Sequence, residues 1–138
     1  MQPRKFLPLV FLLVAGCGSG HVPVAGQVVF EDDQPARELS GGTVVFESID
    51  VTPKFSARGA IDGEGRFNLG TTKPGDGVPP GKYRAMVSPP LTVELDESRG
   101  TLPPPLDDRF QRFESSGLEF EIGAGKNDIT VKVSRPAQ

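Results

Sequence analysis

The feature that most limits the fold is a series of short apolar runs with a period of two, each closed by Gly, Pro or Asp. Thr43 to Ser48 carries Val44, Val45 and Phe46, and Gln27 to Glu31 carries Val28, Val29 and Phe30. Phe55, Ala57, Gly59 and Ile61 alternate with Lys54, Ser56, Arg58 and Ala60, and Phe67 with Leu69 follows. Tyr83, Ala85 and Val87 alternate with Lys82, Arg84 and Ser88; Leu118, Phe120 and Ile122 alternate with Glu119 and Glu121; Ile129, Val131 and Val133 are separated by Thr130 and Lys132. Successive side chains of a strand point to opposite faces, so this pattern describes antiparallel strands with one face in the core and one in water. No segment sustains the 3.6-residue period of a helix. Seven such runs predict an all-β, seven-stranded antiparallel sandwich, and the 17 Gly and 14 Pro supply turn chemistry between them.

The connections agree with that expectation. Asp62-Gly63-Glu64-Gly65 lies between two alternating runs and reads as a tight hairpin, because glycine reaches the positive φ that such turns need. Gly123 to Asp128 reads as the turn joining the last two strands. Pro80-Gly81-Lys82-Tyr83 resembles the tyrosine corner of Greek-key sandwiches, with Gly81 and Tyr83 in structural roles and the hydroxyl bonded to backbone across an arch. The long Pro-rich stretch 89–116 breaks the rhythm. Loops of that length are usually functional or disordered, and deletion of Leu91 to Arg112 is expected to leave the fold intact. Within it, Leu106 to Phe113 reads as one short helical turn that packs back on the domain.

The first residues read as an address. Arg4 and Lys5 precede an apolar run from Phe6 to Val14, then Ala15-Gly16-Cys17. A positive start, a short apolar middle and small residues before a cut describe a secretory signal peptide, and the run is too short for a span of about 20 residues. Val14-Ala15-Gly16-Cys17 resembles the bacterial lipobox. That resemblance implies cleavage between Gly16 and Cys17, a diacylglycerol on the Cys17 thiol and acylation of its new amine, with palmitate-like chains holding the protein to a membrane. Cys17 is the only cysteine, and a lone thiol in an oxidising compartment is otherwise a liability. The expected organisation is therefore a signal peptide over 1–16, a lipidated tether over 17–24 and a β-sandwich over 25–138. Gly18 after the cysteine offers no Asp retention signal, which favours the outer membrane of a cell envelope.

Removing the first 16 of 138 residues leaves 122, enough for one domain with a real core. The segment removed carries two basic residues and no acids, so the remainder holds 13 basic against 18 acidic side chains, a charge of −5. That surface has no electrostatic footprint for nucleic acid. His21, the only histidine, sits on the tether, so neither a Ser-His-Asp arrangement nor a zinc site has its parts, and no catalytic residue, metal or cofactor is expected. Asp32-Asp33, Asp62 with Glu64, Asp76 and Asp107-Asp108 could offer oxygen ligands to calcium. None has the spacing of a calcium loop, and Asp in turns usually bonds its own backbone. Gly70 to Gly81 is glycine-rich without the strand–loop–helix setting of a phosphate loop, and reads as an arch between strands. Sugars are gripped by exposed aromatic faces; with no Trp and one Tyr, the candidate platform is Phe110 with Phe113, residues equally able to cap the core.

Several stretches together resemble the small lipoproteins of planctomycete-type bacteria that carry a carboxypeptidase-regulatory-like, transthyretin-like domain. They are Val24 to Val28, Gly41 to Phe46, Ile61 to Phe67, Thr72 to Tyr83, Ser116-Gly117-Leu118 and Gly125 to Asp128. The resemblance spans nearly all of the chain after Cys17. It implies a seven-stranded prealbumin-like sandwich, an envelope location and no catalytic residues. The sequence departs from the family at Asp32-Asp33, where a Gly-containing turn is usual. The functional expectation is a membrane-anchored, non-catalytic structural or protein-binding module that contacts an envelope partner through the Pro-rich stretch, Phe110 and Phe113 included. The alternative is a carbohydrate-binding module on the same two rings.

Overall fold

The structure is a computed structural model that describes residues 20–51, 53–90 and 105–136. Gly16 and Cys17, with the whole signal segment, lie outside the described residues. Seven strands run through the described chain: β1 (Val24–Val29), β2 (Thr43–Ser48), β3 (Ser56–Ala60), β4 (Arg66–Asn68), β5 (Gly81–Ser88), β6 (Leu118–Ile122) and β7 (Asn127–Lys132). They form two sheets, a three-stranded one in the order β4-β1-β7 and a four-stranded one in the order β3-β2-β5-β6. The architecture is an all-β sandwich. The helical pieces are 3-10 turns at Arg37–Leu39 and Asp108–Gln111 and one α-helical turn, α1 (Phe113–Ser116).

One pairing departs from the all-antiparallel expectation. β1 runs antiparallel to β4 but parallel to β7, from Val24 opposite Asn127 to Val29 opposite Lys132. The reason is the turn 123–126, which does not fold β7 back on β6 but carries the chain across to the other sheet, where β7 runs alongside the first strand. The four-stranded sheet is antiparallel throughout, with Glu47 opposite Arg84 and Arg84 opposite Glu119 on its wet face.

The core lies between the sheets. Phe46 is its centre, with its ring stacked 5.3 Å from Phe120 and tilted at 6.1 Å from Tyr83 and 6.4 Å from Phe67. Val28, Leu69, Val78, Val87, Ile122 and Val131 fill the space around it. Gly26 occupies an inward position of β1, and a β-carbon there would meet the Phe67 ring at 2.5 Å and the Ile129 side chain at 2.9 Å. The two neighbours cover a gap that only a missing side chain provides.

The strand directions give the sandwich two distinct ends. β1 begins beside the end of β4 and the start of β7, and Val22 pairs with Val78 just ahead of β5. Tyr83 at the start of β5 lies opposite Ser48 at the end of β2, and Ser56 at the start of β3 lies opposite Glu47. The chain therefore enters at one end, called proximal here, together with the β2–β3 connection, the approach to β5 and the β6–β7 turn. The distal end gathers the turn after β1, the β3–β4 turn, the segment 105–117 and the chain beyond β7; the hairpin expected at Asp62 to Gly65 is a tight turn that passes the chain from one sheet to the other.

Candidate functional site

At the proximal end the arch before β5 is held by local hydrogen bonds. The Tyr83 hydroxyl donates to the carbonyl of Pro79 at 2.6 Å, inside the core, and burial, then the nearby Asp50 carboxylate, push its pKa up. Gly81 lies at the start of the strand, with the Asp50 carboxylate against it. The Asp76 carboxylate accepts from the backbone N–H groups of Thr71, Thr72 and Lys73 at 2.6, 3.1 and 3.1 Å, with the Thr71 bond first among the causes that hold its pKa below the usual carboxylate range. The Gly70 to Gly81 arch is thus a backbone structure tied down by one carboxylate and one phenol.

The distal end is closed differently. From Pro105 the chain lays Leu106 and Phe110 into the core, at 0% and 3% exposure. The N–H of Asp107 donates to Ser134 at 3.0 Å, and its carboxylate caps the 3-10 turn by accepting from the N–H of Arg109. The Ser116 hydroxyl, buried at the end of α1, donates to the carbonyl of Ala85 at 2.6 Å and fixes the segment to β5. The short helical turn expected here therefore exists, but the segment is not removable as far as Arg112, because Leu106 and Phe110 are core.

This segment and the chain beyond β7 enclose a cleft of about 640 Å³ lined by Phe30, Asp32, Asp107, Arg109, Ser134 and Arg135, among others. The Arg135 guanidinium lies 3.8 Å from the Phe30 ring centre and 3.3 Å from Glu38, and the Arg109 guanidinium lies 4.4 Å from the Phe110 ring centre. A guanidinium stacked on a ring keeps its edge N–H donors in the plane, pointed outward, in a fixed orientation. The cleft sets two such cations among the carboxylates of Glu31, Asp32 and Asp107. Its chemistry suits a polar, charged segment of a partner, with carboxylates met by the arginines and cations by the acids.

Phe110 and Phe113 do not form one aromatic face. Phe110 is a core residue, which corrects its expected place at a contact surface. Phe113 is half-buried, with the Arg84 guanidinium 5.1 Å from its ring centre and Arg84 itself bound to Glu47 at 2.7 Å. The Glu47 pKa is lowered by Arg84 first and by Lys54 after it. Residues that the sequence did not single out, Arg109, Arg135 and Phe30, make the cleft instead. Their only signal was the Arg109-Phe110 dipeptide; the Arg135–Phe30 contact joins positions too far apart in sequence for any local pattern.

The acidic loop residues serve the backbone. Asp62 accepts from the N–H groups of Glu64 and Arg66, the Arg66 bond being the larger cause of its lowered pKa. Asp32 accepts from Gln34, and Asp33 pairs with Lys132 at 2.9 Å. Among the described residues no group of three or more His, Cys, Asp or Glu side chains could hold a metal ion, and no helix is long and apolar enough to cross a membrane.

No known family model matches the chain, and no curated protein matches it. Among solved structures, a 9R-lipoxygenase from Cyanothece PCC8801 is similar at 17% identity and a TM-score of 0.41, over 85% of this chain and 17% of that one; a likeness this weak carries no argument.

Proposed function

We infer that the protein is a lipid-anchored envelope lipoprotein, cut after Gly16 and acylated at Cys17, whose Greek-key, prealbumin-like sandwich is a non-catalytic module that binds a protein partner. The observation that carries this reading is the opposition of the two ends. The chain enters at one, a few residues after Cys17, and the charged cleft opens at the other. An anchored module of this form offers its cleft away from the lipid. A rigid scaffold with a polar, cation-and-acid lined cleft supports a recognition role. The carbohydrate-binding alternative loses its support with Phe110, whose ring is in the core. Gly18, where an Asp would act as a retention signal, supports an outer-membrane location.

Two measurements test the reading. Mass spectrometry of the mature amino terminus should find an acylated Cys17, and an unmodified thiol or a cut elsewhere rejects the anchor. Photo-crosslinking in intact cells from a benzoylphenylalanine placed at Asp108, exposed beside the cleft, should give one protein product that the Arg109→Ala, Arg135→Ala pair abolishes. The same product from a probe at Lys126, at the other end, counts against the cleft.

A further inference from the structure

Among the described residues three large apolar side chains are markedly open to water: Ile49 at 45%, Val51 at 40% and Phe55 at 38% exposure. Single exposed apolar residues are ordinary on any surface. These three all belong to the β2–β3 connection at the proximal end, and none belongs to the distal end. The connection is also pinned. Ile49 donates its N–H to the carbonyl of Lys82 at 2.9 Å, Ser48 to that of Phe55 at 2.8 Å, and the Phe55 N–H to the Ser48 hydroxyl at 2.7 Å. Ile49 further borders a hollow of about 220 Å³ toward β6, where Lys82, Glu119 and Glu121 stand beside the half-buried Phe120 and rim the apolar patch with charge.

Cys17 lies three residues before Gly20, where the described chain begins. An extended chain spans at most about 3.6 Å per residue, so an anchor there holds Gly20, where the chain approaches this end, within roughly 11 Å of Cys17. We propose that the proximal end rests on the bilayer surface, with Ile49, Val51 and Phe55 in the boundary between headgroups and acyl chains. This rests on the anchor reading and adds an orientation to it. Nearby charges are mixed: Lys54, Lys82 and Lys126 stand with Asp50, Glu121 and Asp128, and Lys54 is paired with Glu47 at 3.2 Å. The contact is therefore apolar rather than electrostatic. It does not need anionic lipid and does not weaken with salt, unlike a polybasic patch. Two points of attachment, lipid and loop, fix the tilt of the domain where a lipid alone would let it swing.

The test uses the lipidated protein reconstituted in vesicles of phosphatidylethanolamine and phosphatidylglycerol. Val51→Cys, Phe55→Cys and, at the exposed distal end, Ser40→Cys are each labelled with an environment-sensitive fluorophore. Labels at 51 and 55 should emit to the blue, be quenched by doxyl lipids and resist iodide several-fold better than the label at 40. The same contrast should persist in phosphatidylcholine vesicles and at high salt. Protein that floats with the vesicles but shows equal iodide quenching at all three positions overturns the orientation and leaves the anchor standing. A contrast confined to anionic vesicles at low salt overturns the apolar contact. Protein that does not float overturns the anchor and this inference together.

Discussion

The two ends of the sandwich are closed by opposite means. The proximal end is tied by hydrogen bonds between residues three to five apart, Tyr83 to Pro79 and Asp76 to Thr71, Thr72 and Lys73. The distal end is plugged by apolar side chains from a segment remote from the strands they cover, with Leu106 and Phe110 set against the core. A net hydrogen bond contributes about 1 kcal/mol, whereas a fully buried phenylalanine contributes several. The proximal closure is thus specific in geometry and modest in energy, and the distal closure is the reverse. That contrast suits the proposed roles: an apolar plug fixes a cleft's walls, and a hydrogen-bonded arch shapes the end where the chain enters.

The contrast is open to direct attack. Phe110→Ala should cost about 3–5 kcal/mol in denaturant unfolding, because it empties a core position, and deletion of Leu91 to Arg112 should leave no cooperative transition. A stable, cooperative deletion variant would show that the distal segment is not part of the core. Tyr83→Phe removes one hydroxyl and keeps the ring, so the expected loss is about 1 kcal/mol, measured the same way. A loss as large as that of Phe110→Ala would erase the distinction between the ends.

The smallest effect is read in acid. Asp62 at the distal β3–β4 turn and Asp76 at the proximal arch both have folded pKa values lowered by backbone N–H donors, Arg66 and Thr71 first respectively. A carboxylate with a lowered folded pKa contributes stability that is present above its unfolded value and lost as pH falls through the folded one. Asp62→Asn and Asp76→Asn should each lower Tm near neutrality, and the gap from the parent should close as pH falls below about 4. A gap of constant size down to strong acid would mean that the charge of the caps is immaterial.

Much of the fold was legible in the residues. β2 and β6 fall on the runs read from alternation, since Val44, Phe46 and Ile122 are inward and Glu119 and Glu121 outward. The apolar run at 27–31 places β1 later than the strand at Val24–Val29, for a physical reason: its inward position Gly26 has no side chain, so the alternation is silent there. Phe30 follows the strand into a tight turn in which Asp33 takes φ 63 and the N–H of Asp33 donates to the carbonyl of Phe30. Aspartate reaches the left-handed region more readily than most residues, which is how this chain makes the turn without a glycine. Phe55 shares the parity of Ala57 and Gly59 but lies outside β3 and in water, because parity reports a face only while the strand lasts. The parallel β1–β7 pair was beyond reach, since periodicity identifies strands and not their neighbours. The cleft was equally hidden, being assembled from side chains in three separate stretches.

The pairing of β1 with β7 bears on how the chain is made. The first described strand finds its last neighbour only when Lys132 has been synthesised, so a chain emerging amino terminus first cannot complete its three-stranded sheet before that strand is free to pair. Contacts between strands so far apart also carry a large loop-closure cost and form late. A polypeptide of this topology stays threadable until β7 is out, and locks only then.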